Sequence, residues 1–143
     1  MSDVLTKEQR HLNMSMIRGK DTKPEEIVRK YLFSKGLRYR KNDKRLPGHP
    51  DIVLPKYKTV VFVHGCFWHL HPGCKYAKIP QSNTDFWENK LHGNVMHDTL
   101  VQKKLIQMGW HVLIIWECQL KTKEQRENNL CSLYDQITKG DEL

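Results

Sequence analysis

The sequence predicts an α/β fold in which a mixed β-sheet is flanked by helices. Three observations indicate this class: three short apolar or alternating segments joined by tight turns, an isolated apolar segment after a helical pattern, and helix signals on either side. Short turns favour an antiparallel meander for the first three strands, whereas the helix before the fourth strand permits a parallel crossover. A chain of 143 residues, 38% of them hydrophobic, is long enough for one domain with a substantial core.

Local residue chemistry marks the elements in the first half of the chain. Thr22, Pro24 and Glu25 supply an N-cap, a first-turn proline and an acidic N3 residue, so a helix is predicted from there to Gly36. The segment LRYRK then alternates apolar and basic residues, which is typical of a strand with one solvated face. An earlier helix is predicted over residues 6–18, a turn over residues 46–50, and strands over residues 37–41, 51–54 and 58–64.

The second half of the chain changes from irregular to helical and strand patterns. Residues 65–83 are rich in His, Pro, Gly and Cys and lack the apolar spacing of a core element. A helix is predicted from Thr84 to Gly109 with a break near Gly93; a buried strand, WHVLIIW, and an amphipathic helix follow, with Cys131 predicted in the core. The predicted organisation is a single domain, residues 1–143, made of an N-terminal arm or helix (1–20), a core (21–120) and a C-terminal helix (121–143).

Positive charge is in excess and is clustered. The chain has 24 Lys and Arg against 16 Asp and Glu, with a net charge of +8 and a pI near 9.4. Such charge suits a polyanionic partner, because phosphate contacts release counterions; a solvated, solubility-promoting face is the alternative. No apolar run is long enough to cross a bilayer and no signal-peptide core is present, so a cytoplasmic protein is expected. The basic cluster comprises Lys35, Arg38, Arg40, Lys41, Lys44 and Arg45.

Cysteine and histidine are concentrated in a metal-binding pattern. Cys66, His69, His71 and Cys74 fall within nine residues, and Cys118 follows the strand WHVLIIW. Four cysteines in a cytoplasmic chain are more typical of metal ligation than of disulfides. A structural zinc site takes four Cys or His ligands in a closed tetrahedral shell. Five residues therefore compete for four positions, and their spacing does not distinguish between the two histidines.

A second metal site is predicted where two strands meet. Pro50-Asp51 opens one predicted strand and Phe62 to His64 ends the next, so an antiparallel hairpin brings the Asp51 carboxylate close to the backbone of the second strand. A carboxylate and a main-chain carbonyl suit Mg²⁺, which activates an attacking water and neutralises charge on the departing oxygen. Many nucleases have this layout, with Glu/Asp-x-Lys on the second strand where this chain has Phe62 and His64.

Histidines and carboxylates close to this hairpin are candidates for proton transfer. His64, His69 and His71 lie within a few turns of one another, and neutral imidazole is well matched to proton abstraction from water near neutral pH. Asp98, on the following helix, is a candidate to orient one imidazole, with an exposed helix carboxylate as the alternative. Glu25 is a candidate to hold metal-bound water, with capping of its own helix as the alternative.

Aromatic residues in the metal-rich loop are poorly placed for the main core. Phe67-Trp68 lies between two metal-ligand candidates, and Phe86-Trp87 lies at the start of the next helix. Apolar wedges inserted between base pairs unstack a duplex at a cost of roughly a few kcal/mol per step, and a mismatched step costs less to open. These residues are therefore candidate DNA probes, except that Phe86 is assigned to a small core over the zinc. Met14 is either a further wedge or a packed helix residue.

Several sequence blocks together resemble the very-short-patch repair (Vsr) mismatch endonucleases. The blocks are NMSMIRGKDTKPE, LPGHPDIVLPKYKTVV, FVHGCFWHLHPGC, FWENK, GNVMHD and GWHVLIIWEC, which span about residues 10–120. The HGCFWH block with a downstream WEC is highly specific. The resemblance implies a restriction-endonuclease-like fold with a structural zinc site. It also implies an enzyme that nicks DNA 5′ of the thymine in a T·G mismatch left by deamination of 5-methylcytosine.

The resemblance implies a catalytic role for residues already singled out. Asp51 would bind Mg²⁺ together with the main-chain carbonyl of Val63. His69 would be the general base, paired with Asp98. The residues that would support the water and phosphate network are His64 and Glu25.

The resemblance assigns the zinc and DNA contacts in the same way. The expected cofactors are catalytic Mg²⁺ and structural Zn²⁺, and the expected partner is double-stranded DNA containing a mismatch. Mismatch-repair proteins are a further candidate partner, and the chain is expected to act as a monomer at the bacterial nucleoid. The zinc ligands would be Cys66, His71, Cys74 and Cys118, and the wedge would comprise Phe67, Trp68, Trp87 and, from a DNA-contacting N-terminal arm, Met14.

Two other functions fit the same residues. The first is a nicking or restriction-type nuclease on this fold that ignores mismatches. The second is a non-catalytic, zinc-stapled DNA-binding module, against which Asp51, His64, His69 and Asp98 argue jointly. Cleavage of matched and mismatched duplexes distinguishes all three.

Overall fold

A computed structural model describes residues 22–139 as three helices packed on a four-stranded sheet. The predicted helix over residues 6–18 and Met14 lie outside the described residues. In chain order the elements are α1 (Lys23–Ser34), β1 (Arg40–Lys41), β2 (Ile52–Leu54), a 3₁₀ turn (Pro55–Tyr57), β3 (Thr59–His64), α2 (Thr84–Gln107), β4 (His111–Trp116), a second 3₁₀ turn (Glu117–Leu120) and α3 (Lys123–Lys139).

The sheet has the predicted mixture of antiparallel and parallel pairs. Its strand order is β1-β2-β3-β4; β1–β2 and β2–β3 are antiparallel, and β3–β4 is parallel. Ile52 lies opposite Val61, so the residue before β2 lies beside the end of β3. On the other side of β3, His64 lies opposite Trp116. The mixed α/β fold class predicted from the sequence is confirmed.

Alternating side chains divide the core into two layers. On one face of the sheet, Ile52 and Val61 pack with residues of α1 and α3. On the other face, Val60 and Phe62 pack with Val101 and other residues of α2. Helices therefore cover both faces. The end of β3 leads into the Cys/His-rich loop, and the end of β4 leads into the 3₁₀ turn that contains Cys118. Within residues 22–139, no helix combines the length and apolar character needed to cross a membrane.

The signals at the start of α1 act as predicted at the backbone level. Thr22 is the N-cap and its hydroxyl oxygen accepts a hydrogen bond from the Glu25 amide at 3.5 Å, with Pro24 in the first turn. Glu25 itself is 4% exposed, and its carboxylate turns toward the sheet instead of remaining at a solvated helix end. Capping thus fixes where the helix begins and thereby where this carboxylate lies.

Several local predictions differ from the structure. The first strand is limited to the two residues of β1 that pair with β2, and Leu37 is buried in the core with residues of α1 and α3. Lys58 ends the 3₁₀ turn with φ 51°, so β3 begins one residue later. Helix α2 continues through Gly93. A glycine inside a helix costs only about 1 kcal/mol, and packing of buried residues before and after Gly93 outweighs that cost. Cys131 lies exposed on α3 and not in the core.

Candidate active site and metal centre

A cavity of about 290 Å³ lies where the start of β2, the end of β3 and the middle of α2 converge. Residues of the stretch 42–51 line one part of the wall, and residues of α2 line another. Ionisable side chains from four separate parts of the chain line it: Glu25, Lys44, His49, Asp51, His64, His69, His97 and Asp98. The structure thus brings together all five catalytic residues predicted from the sequence.

Asp51 is held by the strand that follows it in the sheet. One carboxylate oxygen, Oδ2, accepts a hydrogen bond of 2.7 Å from the main-chain N–H of Val63. Burial, followed by the neighbouring Glu25 carboxylate, raises the pKa of Asp51 from 3.8 to about 7, against the lowering effect of the Val63 N–H. Two carboxylates without compensating charge are costly to bury together, so this corner of the cavity favours a cation.

Arg29 provides part of that compensation. Its guanidinium Nη1 lies 3.3 Å from Oε2 of Glu25, one helical turn away, and both side chains are almost fully buried, at 5% and 4% exposed. The positive charge of Arg29 also acts to lower the pKa of Asp51. The pair holds Glu25 at the cavity wall, because a buried carboxylate needs a charged hydrogen-bond partner.

His69 and Asp98 form a short polar contact in the cavity. Nδ1 of His69 lies 2.5 Å from Oδ2 of Asp98, although the two residues are 29 positions apart in the chain. The His64 ring stacks on the His69 ring with centroids 3.8 Å apart and planes within 3°. A carboxylate on Nδ1 fixes the proton there and leaves Nε2 with its lone pair, the form in which an imidazole accepts a proton. These contacts orient His69 from two directions.

A separate cluster of soft donors lies behind this cavity. The ligand atoms of Cys66, His71, Cys74 and Cys118 all lie within 4.8 Å of one another. Sγ of Cys118 is 3.4 Å from Nδ1 of His71, and the Cys118 amide donates to Sγ of Cys66 at 3.3 Å. His69 belongs to the other group, with His64 and Asp98. The geometry therefore separates the two histidines that spacing left unresolved.

The donor set of the cluster fits a tetrahedral zinc ion. Zinc–sulfur bonds of about 2.3 Å and zinc–nitrogen bonds of about 2.0 Å place tetrahedral ligand atoms roughly 3.5–3.8 Å apart, close to the separation of Cys118 and His71. Burial raises the pKa of the Cys66 thiol to about 12 and lowers the pKa of His71. A neutral His71 is the form that binds metal, whereas a Cys66 thiolate at neutral pH requires a neighbouring positive charge.

Trp116 lies between the two groups. Its ring stacks on His71 with centroids 4.0 Å apart, and it meets the His64 ring edge-on at 5.1 Å. Because β3 and β4 are parallel and in register, Trp116 lies directly beside His64 at the strand ends. The ring fills the space between the Cys/His cluster and the cavity, so the position of one group constrains the other.

An aromatic cluster is attached to the outer side of the same loop. The rings of Phe67, Trp68 and Trp87 meet pairwise with centroids 5.1–5.9 Å apart. Trp87 is buried at 8% exposed, whereas the other two rings are partly exposed. The Asn94 amide donates to the Trp68 carbonyl at 3.0 Å and ties the loop to α2. Phe86, assigned from sequence to a small core, is 48% exposed, so that prediction is wrong.

Some residues of the site were not identified from the sequence. Arg29 carries a signal, because it follows Glu25 by four positions and such pairs share a helix face. His97 lines the cavity but had no signal beyond its position next to Asp98. Trp116 was assigned only to a strand, and its contacts with two histidines depend on strand register. Asn94 acts through a contact that no local pattern indicates.

Comparisons with known proteins identify the family to which the chain belongs. Residues 2–75 match the family described as DNA mismatch endonuclease Vsr. A type II nicking enzyme of Neisseria meningitidis serogroup A is 53% identical over 123 residues, covering 86% of this chain and 87% of the relative. A type II nicking enzyme of Xanthomonas oryzae is 42% identical, covering 94% and 98%. The DNA mismatch endonuclease Vsr of Escherichia coli K12 is 42% identical, covering 87% and 80%. The chain therefore belongs to the Vsr family of DNA endonucleases, whose fold is restriction-endonuclease-like.

Proposed function

We propose that this protein nicks one strand of duplex DNA 5′ of the thymine in T·G mismatches that arise from 5-methylcytosine deamination, and so initiates very-short-patch repair. The observation that carries the proposal is the single cavity in which Asp51 and Glu25 face the His69–Asp98 pair. Family membership supports DNA as the substrate. The Escherichia coli relative is named as a mismatch endonuclease, and the Neisseria and Xanthomonas relatives are named as nicking enzymes.

The donors around Asp51 fit a hard divalent cation such as Mg²⁺. One oxygen of the Asp51 carboxylate accepts a hydrogen bond from the Val63 N–H, and the Asp51 side chain also shares a hydrogen bond with the neighbouring Glu25 side chain, so both acids lie together at the cavity wall. In a strand, the N–H and C=O of one residue point to the same side, so the Val63 carbonyl also faces Asp51. When bound there, Mg²⁺ would lower the pKa of an attacking water and neutralise charge on the phosphodiester. Glu25 would hold a water molecule of its hydration shell.

His69 is proposed to be the general base. Asp98 keeps the Nδ1 proton in place, so that Nε2 accepts the proton of the water whose oxygen attacks the phosphorus atom. As the P–O bond to the sugar breaks, the leaving sugar oxygen takes a proton from water and becomes a hydroxyl, while Asp98 stabilises the positive charge of the protonated His69. His64, stacked on His69, restricts rotation of the base and would contact the phosphate network.

The aromatic cluster is proposed to probe the duplex. Phe67 and Trp68 are partly exposed beside the cavity and are supported from beneath by Trp87. A wedge on a rigid base opens a weakly stacked T·G step more readily than a matched step. Met14, outside the described residues, remains a predicted second wedge.

Zinc is proposed as the structural ion of the cluster formed by Cys66, His71, Cys74 and Cys118. Its role would be to hold the loop over residues 65–83, which has few buried residues of its own. The protein would act as a monomer on chromosomal DNA in the bacterial cytoplasm. Contact with mismatch-repair proteins remains a prediction.

Mismatch selectivity is tested by comparing duplexes that differ at one base pair. We expect a T·G duplex to be nicked at least about tenfold faster than its C·G or T·A counterpart in Mg²⁺, since unstacking energies of a few kcal/mol separate the substrates. The measurement is the single-turnover rate with the nick mapped on each labelled strand. Equal rates would instead support the mismatch-independent nicking enzyme, and binding without cleavage would support the non-catalytic module.

The basic wall of the cavity is expected to contact phosphates. Lys44 lies in the loop before β2 and lines the cavity. We expect Lys44→Gln to weaken binding of matched and mismatched duplexes equally, and to reduce the slope of log K against log[salt] by about 0.9. The dissociation constant is measured by fluorescence anisotropy at salt concentrations from about 50 to about 200 mM, a range over which such slopes are resolved. Lys139→Gln at the end of α3 is the control, and equal slopes for wild type and Lys44→Gln would refute the contact.

A further inference from the structure

Gly48 lies in unusually close contact with helix α2. It is in the loop between β1 and β2 with φ +74°, a conformation that L-residues with side chains rarely adopt. A Cβ built on it would lie 2.4 Å from Cγ1 of Val101 and 3.2 Å from Cγ2. Because real Cβ atoms essentially never approach within 3.0 Å, no side chain fits here without movement of the loop or of Val101. Val101 is 6% exposed and packs in the core layer beneath the sheet.

The contact joins the two walls of the candidate active site. Gly48 precedes Asp51 by three residues, and Val101 follows Asp98 by three residues, or about one helical turn. All four residues line the same cavity. The backbone of the loop therefore rests against the helix that holds Asp98, and Asp98 in turn holds His69. The Gly48–Val101 contact is thus a spacer between the carboxylate side and the base side of the cavity.

The size of the displacement decides whether this spacing matters. To restore an ordinary contact of about 3.4 Å or more, an added methyl group must push the walls apart by roughly 1 Å. A displacement of about 1 Å at reacting groups can lower a rate by about 10²-fold even when the changed residue does not touch the substrate. A loop of ordinary flexibility would absorb such a change, but this one leads directly into buried Pro50 and the short strand β2.

We propose that Gly48 is a positioning residue, whose lack of a side chain sets the distance between Asp51 and the His69–Asp98 pair. The inference rests on the proposed function of this cavity. The glycine of the LPGHPD segment would then position the catalytic groups, in addition to its role in the turn.

Four variants separate this role from the backbone requirement. Gly48→Ala introduces both the clash and an unfavourable φ, whereas Gly36→Ala has φ +85° and no atom within 4 Å of the new Cβ, and so measures the φ effect alone. Val101→Ala removes the two atoms closest to the new methyl group. The fourth variant combines Gly48→Ala with Val101→Ala. For each, the nicking rate at saturating DNA, the KM for DNA and the melting temperature are measured.

We expect Gly48→Ala to lower the saturated nicking rate by about 10²-fold with little change in KM, and Gly36→Ala to change it by less than about threefold. The double variant should recover at least about tenfold of the lost rate, although loss of core packing by Val101→Ala makes it no more stable than Gly48→Ala. The nicking rate would then recover in the double variant without any gain in stability, a result that a purely structural role of Gly48 does not produce. The inference is overturned if the double variant is no faster than Gly48→Ala, or if Gly36→Ala loses as much.

A second readout is independent of nuclease activity. Binding of Mn²⁺, followed by electron spin resonance, reports on the donors around Asp51. We expect the affinity for Mn²⁺ to fall at least about fivefold in Gly48→Ala, to recover in the double variant and to be unchanged in Gly36→Ala. If the variants show this pattern of Mn²⁺ affinities but the wild-type protein cleaves no duplex, the proposed function is refuted and the positioning role of Gly48 is retained. Unchanged Mn²⁺ affinity in Gly48→Ala would refute the positioning role.

Discussion

Replacing Asp51 by Asn is expected to abolish nicking while making the metal-free protein more stable. The amide can still accept the hydrogen bond from the Val63 N–H, so the shape of the site is retained. The charge needed to hold a cation is lost, and with it several kcal/mol of transition-state stabilisation, or a rate decrease of more than about 10³-fold. At the same time, the substitution removes a buried negative charge that lies beside Glu25.

The gain in stability depends on pH in a defined direction. Because the pKa of Asp51 is raised from 3.8 to about 7 in the folded protein, the folded state binds more protons than the unfolded state between these values. The free energy of unfolding therefore falls as pH rises through this window, by an amount on the order of 2–4 kcal/mol when complete. Asp51→Asn should lose this slope. Mg²⁺ competes with the proton, so it should bind more tightly to the wild type as pH rises through about 7.

Urea unfolding at several pH values in Mg²⁺-free buffer, together with nicking assays in Mg²⁺, tests both effects. Asp135→Asn on α3 is the matched control, since this carboxylate has a distant partner at 4.0 Å and lies away from the cavity. It should change neither the nicking rate nor the pH dependence by a measurable amount. An active Asp51→Asn variant would remove Asp51 from the proposed mechanism, and a destabilised one would contradict the electrostatic account of the site.

Removing one thiol from the Cys/His cluster is expected to have the largest effect on stability. Cys118→Ala removes the proposed zinc ligand that would tie the loop to the end of β4. Structural zinc contributes an apparent binding free energy of about 10–16 kcal/mol in small zinc-folded peptides, which is comparable to the whole stability of a small domain. We expect loss of the bound ion and a fall in melting temperature of at least about 10 °C, because each kcal/mol corresponds to a few degrees at this chain length.

Metal analysis and thermal unfolding provide the measurement, with Cys131→Ala as the control. Cys131 is exposed on α3 and is not part of the Cys/His cluster, so its removal should leave one zinc per chain and an unchanged melting temperature. A mild chelator that removes Mg²⁺ should stop nicking without unfolding, whereas a strong zinc chelator should unfold the loop. A wild-type protein that contains no zinc would refute the proposed ion.

The elements that local residue chemistry specifies were predicted well. Alternating and apolar segments identified the strands, and the Thr22 cap identified the start of α1, because these signals act over a few neighbouring residues. The break at Gly93 was wrong because packing of α2 against the sheet outweighs the propensity of one glycine. The burial of Cys131 was wrong because a position next to apolar residues on a helix does not by itself face the core.

Sequence analysis named the residues that line the candidate site, but it missed the residues that hold them in position. Sequence reasoning brought Asp51 to the end of β3 through hairpin geometry, and the family resemblance divided His69 from His71. The roles of Arg29 and Trp116 were not predicted, because their contacts depend on how α1 and β4 pack against β3. Gly48 was assigned to a turn, which is correct, but its contact with Val101 is a tertiary one that no pattern in the sequence specifies.

The order of residues 66–71 has a consequence for failure of the protein. This stretch carries, in succession, a cluster cysteine, two aromatic residues of the proposed probe, the proposed base and a cluster histidine. If zinc holds the stretch in place, its loss withdraws the probe and the base in the same event. A cell short of zinc would then contain an inactive protein and not a nuclease that cuts matched DNA, because the residues for recognition and for cleavage depend on the same bound ion.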